Sequence, residues 1–131
     1  MDKLRTMFGK QKIGKIGEKL AENYLRSKNY QILERNFWVK IGGKKFGEID
    51  IVAKKNNKII FFEIKTSSRE QEIFPEEKVN LKKIQKIQQT AEIWLEKNHQ
   101  YHDLALQIDV LAIVLNFETR TAQIAHFQNI A

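Results

Sequence analysis

The chain has 131 residues, enough for one domain that hides roughly two thirds of its surface on folding and too few for two. Hydrophobic residues at 42%, charged residues at 30% and a single proline exclude wholesale disorder. With no cysteine, disulfides and thiolate metal sites are excluded, and 23 basic against 16 acidic side chains leave a net charge of +7 that favours polyanionic partners.

The basic excess is uneven: Lys3, Arg5, Lys10, Lys12, Lys15 and Lys19 crowd the first twenty residues. Residues 1–11 read as a basic N-terminal segment with room to flex, ahead of a single domain over 12–131. No stretch approaches the ~20 consecutive apolar residues of a membrane span, and the N-terminus lacks the apolar middle of a secretory signal. The expectation is a cytoplasmic protein with no membrane partner.

Ile13, Ile16, Leu20, Tyr24 and Leu25 follow helical spacing, and Asn29, which tolerates a left-handed backbone, should end that helix. Gln31 to Val39 is rich in β-branched and aromatic residues, a strand broken by the Gly42-Gly43 turn. Phe46 to Ala53 and Lys58 to Thr66 are two further strands, joined by a polar tight turn at Asn56-Asn57. Ser67 to Glu77, which holds Pro75, reads as a loop able to order over a ligand, with Phe74 as an exposed stacking candidate.

Lys78 to His99 places Val79, Ile84, Ile87, Ala91, Trp94 and Leu95 on one helical stripe, with Lys82, Lys83 and Lys86 on the more polar side. Leu104 to Leu115 is nearly all apolar, as in a strand buried on both faces, and Thr121 to Phe127 is its hairpin partner. The order αβββαββ predicts an α/β fold, a central mixed sheet of about five strands flanked by helices. Trp38 and Trp94 are assigned to the core. His99, His102 and His126 are assigned to the surface, because none has metal-ligand spacing to a nearby acid on a helix.

The chemistry lies on the second and third strands. Strict alternation puts Glu48, Asp50 and Val52 on one side with Ile49, Ile51 and Ala53 on the other, and puts Glu63 with Lys65 opposite Ile60, Phe62 and Ile64. A hairpin closing symmetrically about Asn56-Asn57 sets Asp50 across from Glu63 and Glu48 across from Lys65; a shift of one residue would separate them. Facing carboxylates repel unless neutralised. Mg²⁺ or Mn²⁺, which takes hard oxygen ligands, would neutralise them, and Lys65 stands near enough to stabilise phosphoryl charge or help deprotonate a water. The plain alternative is a Glu48–Lys65 ion pair beside solvated acids. Against it, these acids interrupt otherwise apolar strands, where charges are rare without partners.

Gly47-Glu48-Ile49-Asp50, followed thirteen residues after Asp50 by Glu63-Ile64-Lys65, resembles the PD-(D/E)xK signature of restriction endonucleases and Holliday-junction resolvases. With Gly17-Glu18 and Ala21, Arg35-Asn36, Phe62 and Thr66, Lys83 and Asp109-Val110, the chain more narrowly resembles the YraN-like family of small bacterial proteins, over roughly residues 12 to 115. The resemblance implies a restriction endonuclease-like core, Asp50 and Glu63 as metal ligands, Lys65 as the catalytic lysine and Glu18 as a helix acid approaching the site. Two family arginines are replaced, by Ser67 after Thr66 and by Gln107 ahead of Asp109.

The function so implied is metal-dependent hydrolysis of phosphodiesters in structured or branched nucleic acid, DNA ahead of RNA. Lys12, Lys15, Lys19 and Lys83 are the candidate phosphate contacts, and a homodimer would supply the two sites that a symmetric junction needs. The alternative is a catalytically silent nucleic-acid-binding or interaction module with the same fold, since fold alone does not set activity.

Overall fold

The structure, a computed structural model, describes residues 2–68 and 80–131, with the backbone alone described for 2–11. Helix α1 (Asp2–Ser27) is followed by strands β1 (Gln31–Ile41), β2 (Lys44–Lys55) and β3 (Lys58–Ser68), helix α2 (Leu81–Lys97), a 3-10 turn at His99–Tyr101, and strands β4 (Ala105–Asn116) and β5 (Thr121–Phe127). The strands lie in chain order, β1-β2-β3-β4-β5. All neighbours are antiparallel except β3 and β4, which run parallel across the α2 connection. This is the αβββαββ order and mixed five-stranded sheet expected of the α/β core. Phe74 and Pro75 lie outside the described residues.

Local chemistry sets the boundaries. Asn29 adopts φ 69° just past α1, and Tyr30 N–H reaches Leu25 O at 2.9 Å while Asn29 N–H reaches Arg26 O at 3.0 Å, the paired bonds of a Schellman cap. Helix α2 starts at Asn80, whose side chain accepts from Lys83 N–H. The β1–β2 turn puts Gly42 at φ 62° and Gly43 at φ 79°, conformations that tightly turned hairpins require and that glycine adopts without strain. The β2–β3 turn closes symmetrically on Lys55 opposite Lys58, the register expected.

The sheet is covered on both faces. Ile13, Ala21 and Leu25 of α1 pack on Ile51, Phe62, Leu111 and Ile113, and Ile87, Ala91 and Trp94 of α2 pack on Val52, Ile59, Phe61 and Ile108. Phe61 and Phe62, adjacent in sequence, thus serve opposite cores, each worth ~1.5–3 kcal/mol on full burial.

Strict alternation fails in one place that matters. Ile49 joins the α2 core while Ile51 joins the α1 core, although alternation would have put them together. On the neighbouring strand Arg35 reaches Glu22 of α1, whereas Phe37 enters the α2 core. Both strands therefore reverse facing at the same level, at Asn36 and Asp50, between the pairs Arg35–Ile51 and Phe37–Ile49. Asn36 absorbs the turn at φ 53°.

Two expectations about packing are corrected. Trp38, assigned to the core, is 49% exposed, because the reversal at Asn36 sends Phe37 inward in its place. His126, assigned to the surface, is largely buried: its Nε2 lies 2.7 Å from Asp109 Oδ2 and its Nδ1 3.1 Å from the Tyr24 hydroxyl. Asp109, with no exposure at all, also accepts from Gln107 Nε2 at 2.9 Å and Asn129 N–H at 2.8 Å. A buried carboxylate needs such donors, and these tie the C-terminal residues to β4. Trp94 is buried as expected, its indole N–H donating to Glu34 at 2.7 Å.

Candidate active site

The β2–β3 ladder runs from Lys55–Lys58 to Ile51–Phe62 and stops one step short of Asp50 and Glu63. There the Asp50 carboxylate accepts the backbone N–H of Ile64 at 2.7 Å, so a side chain takes a donor of the diverging strand. The two acids consequently sit where the strands part. Asp50 opens toward α1, into a cleft of about 190 Å³ also lined by Lys15, Glu18, Lys19, Glu22, Arg35 and Asn36. Glu63, buried, faces α2, where Lys65 Nζ at 3.2 Å and Lys83 Nζ at 3.0 Å bind the same oxygen, Oε1.

Burial raises Asp50, and the nearby Glu63 carboxylate raises it further; the Ile64 N–H only partly offsets this, and the carboxyl is pushed up to about 7. Glu18 is also raised, first by burial and then by Glu48, against the opposing pull of Lys15. The lysines diverge. Lys65 is lowered, by burial and by its neighbour Lys83, despite the attraction of Glu63. Burial also penalises Lys83, but contact with Lys65 and Glu63 outweighs that and raises it. The two ammonium groups and the Glu63 carboxylate thus form one coupled cluster in which the charge on each side chain depends on the others.

The Glu48–Lys65 ion pair of the plain alternative does not form. Glu48 binds Lys45 at 2.7 Å, because the reversal at Asp50 turns Glu48 away from the Glu63 face, whereas Glu63 and Lys65 do share a side. Lys83, read from sequence on the more polar side of its helix, reaches Glu63. Lys15 and Lys19 border the Asp50 cleft, and Lys12 is exposed one turn earlier on α1.

Two contributors were missed by sequence reasoning. Asn36 lines the cleft and permits the strand reversal; a lone Asn inside a β-branched and aromatic run was its signal. Glu22 accepts a two-pronged contact from Arg35 and a further one from Arg26, and the Arg35 hydrogen bond foremost holds its carboxyl down to about 2. That clamp joins α1 to β1 immediately before Asn36.

The donor set suits a hard divalent cation. Asp50 and Glu63 offer oxygen ligands whose mutual repulsion a cation would relieve, and Mg²⁺ needs only one or two protein carboxylates. Among the described residues, no three acids or histidines form a ready-made cage, so water and substrate oxygens would complete the shell. Also among the described residues, no helix is long and apolar enough to cross a membrane.

The model of the uncharacterised protein family UPF0102 matches residues 17–113, a stretch that holds Glu18, Asp50, Glu63, Lys65 and Lys83. The chain is 38% identical over 104 residues to a UPF0102 protein of Clostridium botulinum (strain 657 / Type Ba4), covering 79% of this chain and 80% of that one. It is 36% identical over 114 residues to a UPF0102 protein of Caldanaerobacter subterraneus subsp. tengcongensis, covering 87% and 88%. A UPF0102 protein of Persephonella marina is 39% identical over 103 residues, covering 79% and 84%. Family match and relatives agree along most of the fold: the chain belongs to the UPF0102, or YraN-like, family.

Proposed function

We propose that the protein is a Mg²⁺- or Mn²⁺-dependent nuclease that hydrolyses phosphodiester bonds in structured or branched nucleic acid, DNA ahead of RNA. The observation that carries this reading is the placement of Asp50 and Glu63 at the point where β2 and β3 part, with Lys65 on Glu63. Asp50 and Glu63 would hold the cation, which when bound supplies positive charge against the phosphate and acidifies water. Lys65, lowered by burial and by Lys83, is placed to accept a proton from the attacking water, and Lys83 keeps a positive charge for the phosphoryl oxygens. Glu18 borders the same cleft from α1 and can orient water or substrate. Lys12, Lys15 and Lys19 extend positive charge along that helix for backbone phosphates.

The test is calorimetric titration of Mn²⁺ into wild type and Asp50→Ala, followed by cleavage assays on single-stranded, duplex, flap and four-way-junction DNA. The expected result is metal binding and cleavage lost together in the variant, by at least a hundredfold in rate. A wild type that binds neither metal nor DNA would sink the reading. One observation favours a silent binding module instead: both lysines sit on one Glu63 oxygen and so already neutralise it. That module would bind DNA equally with and without divalent metal and cleave none of it. Resolution of a symmetric junction further requires a dimer, which light scattering would reveal.

A further inference from the structure

The strand reversal that shapes the candidate site also turns Trp38 outward, and nothing in the proposed chemistry uses an exposed indole there. Phe37 and Val39 are buried on the α2 side, so Trp38 takes the opposite face of β1, just before the ladder shifts register between Val39 and Lys40. Lys40 Nζ lies 5.4 Å from the Trp38 ring centroid. Across the hairpin, Trp38 is opposite Glu48 and Lys40 opposite Lys45, with Lys45 bound to Glu48 at 2.7 Å. Glu48 is near enough to Glu18 and Asp50 to raise the energy of charging both. The indole and its lysines therefore continue the α1-side surface that holds Asp50 and Glu18, Trp38 being two residues along β1 from the level of Asp50. At a rise of ~3.3 Å per residue that is about 7 Å, comparable to two stacked nucleotide steps of ~3.4 Å.

A large half-exposed aromatic ring beside ammonium groups has an evident complement in a nucleic-acid strand, whose bases stack on indole and whose phosphates pair with lysine. In a continuous duplex the base faces are covered by their neighbours, so the ring gains nothing from an intact helix. We infer that Trp38 is a stacking platform for an unpaired base, with Lys40 and Lys45 taking the adjoining phosphates. The preferred nucleic acid therefore exposes a single-stranded stretch beside the candidate site. On binding, Lys40 leaves the ring for phosphate, and Lys45 exchanges Glu48 for phosphate. This deepens the proposed nuclease reading by naming its substrate class, and it rests on that reading for the position of the cut alone.

The test uses the full chain in chelator, so that binding is read without turnover, with oligothymidylate as the single-stranded probe and a blunt duplex of equal length as control. Oligothymidylate is expected to quench the exposed indole while Trp94, buried under α2, stays shielded. Trp38→Ala should bind oligothymidylate about tenfold to a hundredfold more weakly, Trp38→Phe should recover part of the loss, and duplex affinity should stay within about twofold. The inference is overturned if Trp38→Ala binds oligothymidylate as wild type does, or loses single strand and duplex alike while keeping its melting temperature. Cleavage assays with Mn²⁺ separate the two ideas. A wild type that is quenched but cleaves nothing removes the nuclease and keeps the platform; one that cleaves with Trp38→Ala unaltered on flaps removes the platform and keeps the nuclease.

Discussion

Asp50 is held where its charge is unwelcome, by burial and by Glu63, and this has a consequence for stability that needs no substrate. A carboxyl raised from 3.8 to about 7 binds its proton more tightly folded than unfolded. Its contribution is fully present below pH ~4 and is lost as the pH rises through about 7. In chelator, wild type should therefore lose stability across that window, and Asp50→Asn, which keeps an acceptor for Ile64 N–H, should not. At ~1.4 kcal/mol per pKa unit, the variant should gain up to a few kcal/mol at pH 8, seen as a melting temperature several degrees higher, with no gain at pH 4. Melting curves at the two pH values check this, and equal curves at pH 8 would mean that Asp50 is not strained by its neighbours. Asp50 and Glu18, both raised and both lining one cleft, follow the pattern expected where function rather than folding has chosen the residues.

At the scale of elements, the approach of α1 to the sheet depends on Gly17. A β-carbon there would land on the Thr66 side chain of β3, directly after Lys65, so the glycine lets the helix carry Glu18 close to the candidate site. Gly47 of β2 does the same for α2, where a β-carbon would meet the Thr90 hydroxyl. Gly17→Ala should gain ~1 kcal/mol in helix propensity and lose ~1–3 kcal/mol to overpacking. The net expectation is destabilisation of up to about 2 kcal/mol in urea unfolding, partly relieved by Thr66→Ala in the same chain because the two sites couple. A Gly17→Ala protein as stable as wild type would show that the helix does not sit this close.

For the molecule as a whole, the charge of +7 is an electrostatic argument about partners rather than about fold. If Lys15 and Lys19 contact phosphates beside the cleft, duplex binding in chelator should weaken steeply with salt. Replacing both by Gln should reduce the slope of log affinity against log salt by about two, at ~0.9 per phosphate. An unchanged slope would move the phosphate track elsewhere on the surface.

The turns and caps between elements were legible because each rests on local chemistry: the Asn29 cap and the Gly42-Gly43 and Asn56-Asn57 turns; the start of α1 at Asp2 and the end of β3 at Ser68, past the expected Thr66, were not. The hairpin register was legible too, since a two-residue turn leaves little freedom, and with it the meeting of Asp50 and Glu63 near one level. Which way side chains face around Asp50 was not legible. Alternation is a property of an unbroken strand, and the reversal at Asn36 and Asp50 arises only when two strands must satisfy helices on opposite faces. Hence Trp38 emerges, Glu48 turns from Lys65 to Lys45, and Lys83 comes in to Glu63 from a helix far along the chain. His126 and Asp109 likewise meet only because β5 lies beside β4. The sequence by itself determined the order of the elements and the register that brings Asp50 and Glu63 near one level, because these follow from periodicity and turns. Tertiary structure alone decided the company those acids keep, because long-range packing sets which side chains are buried together.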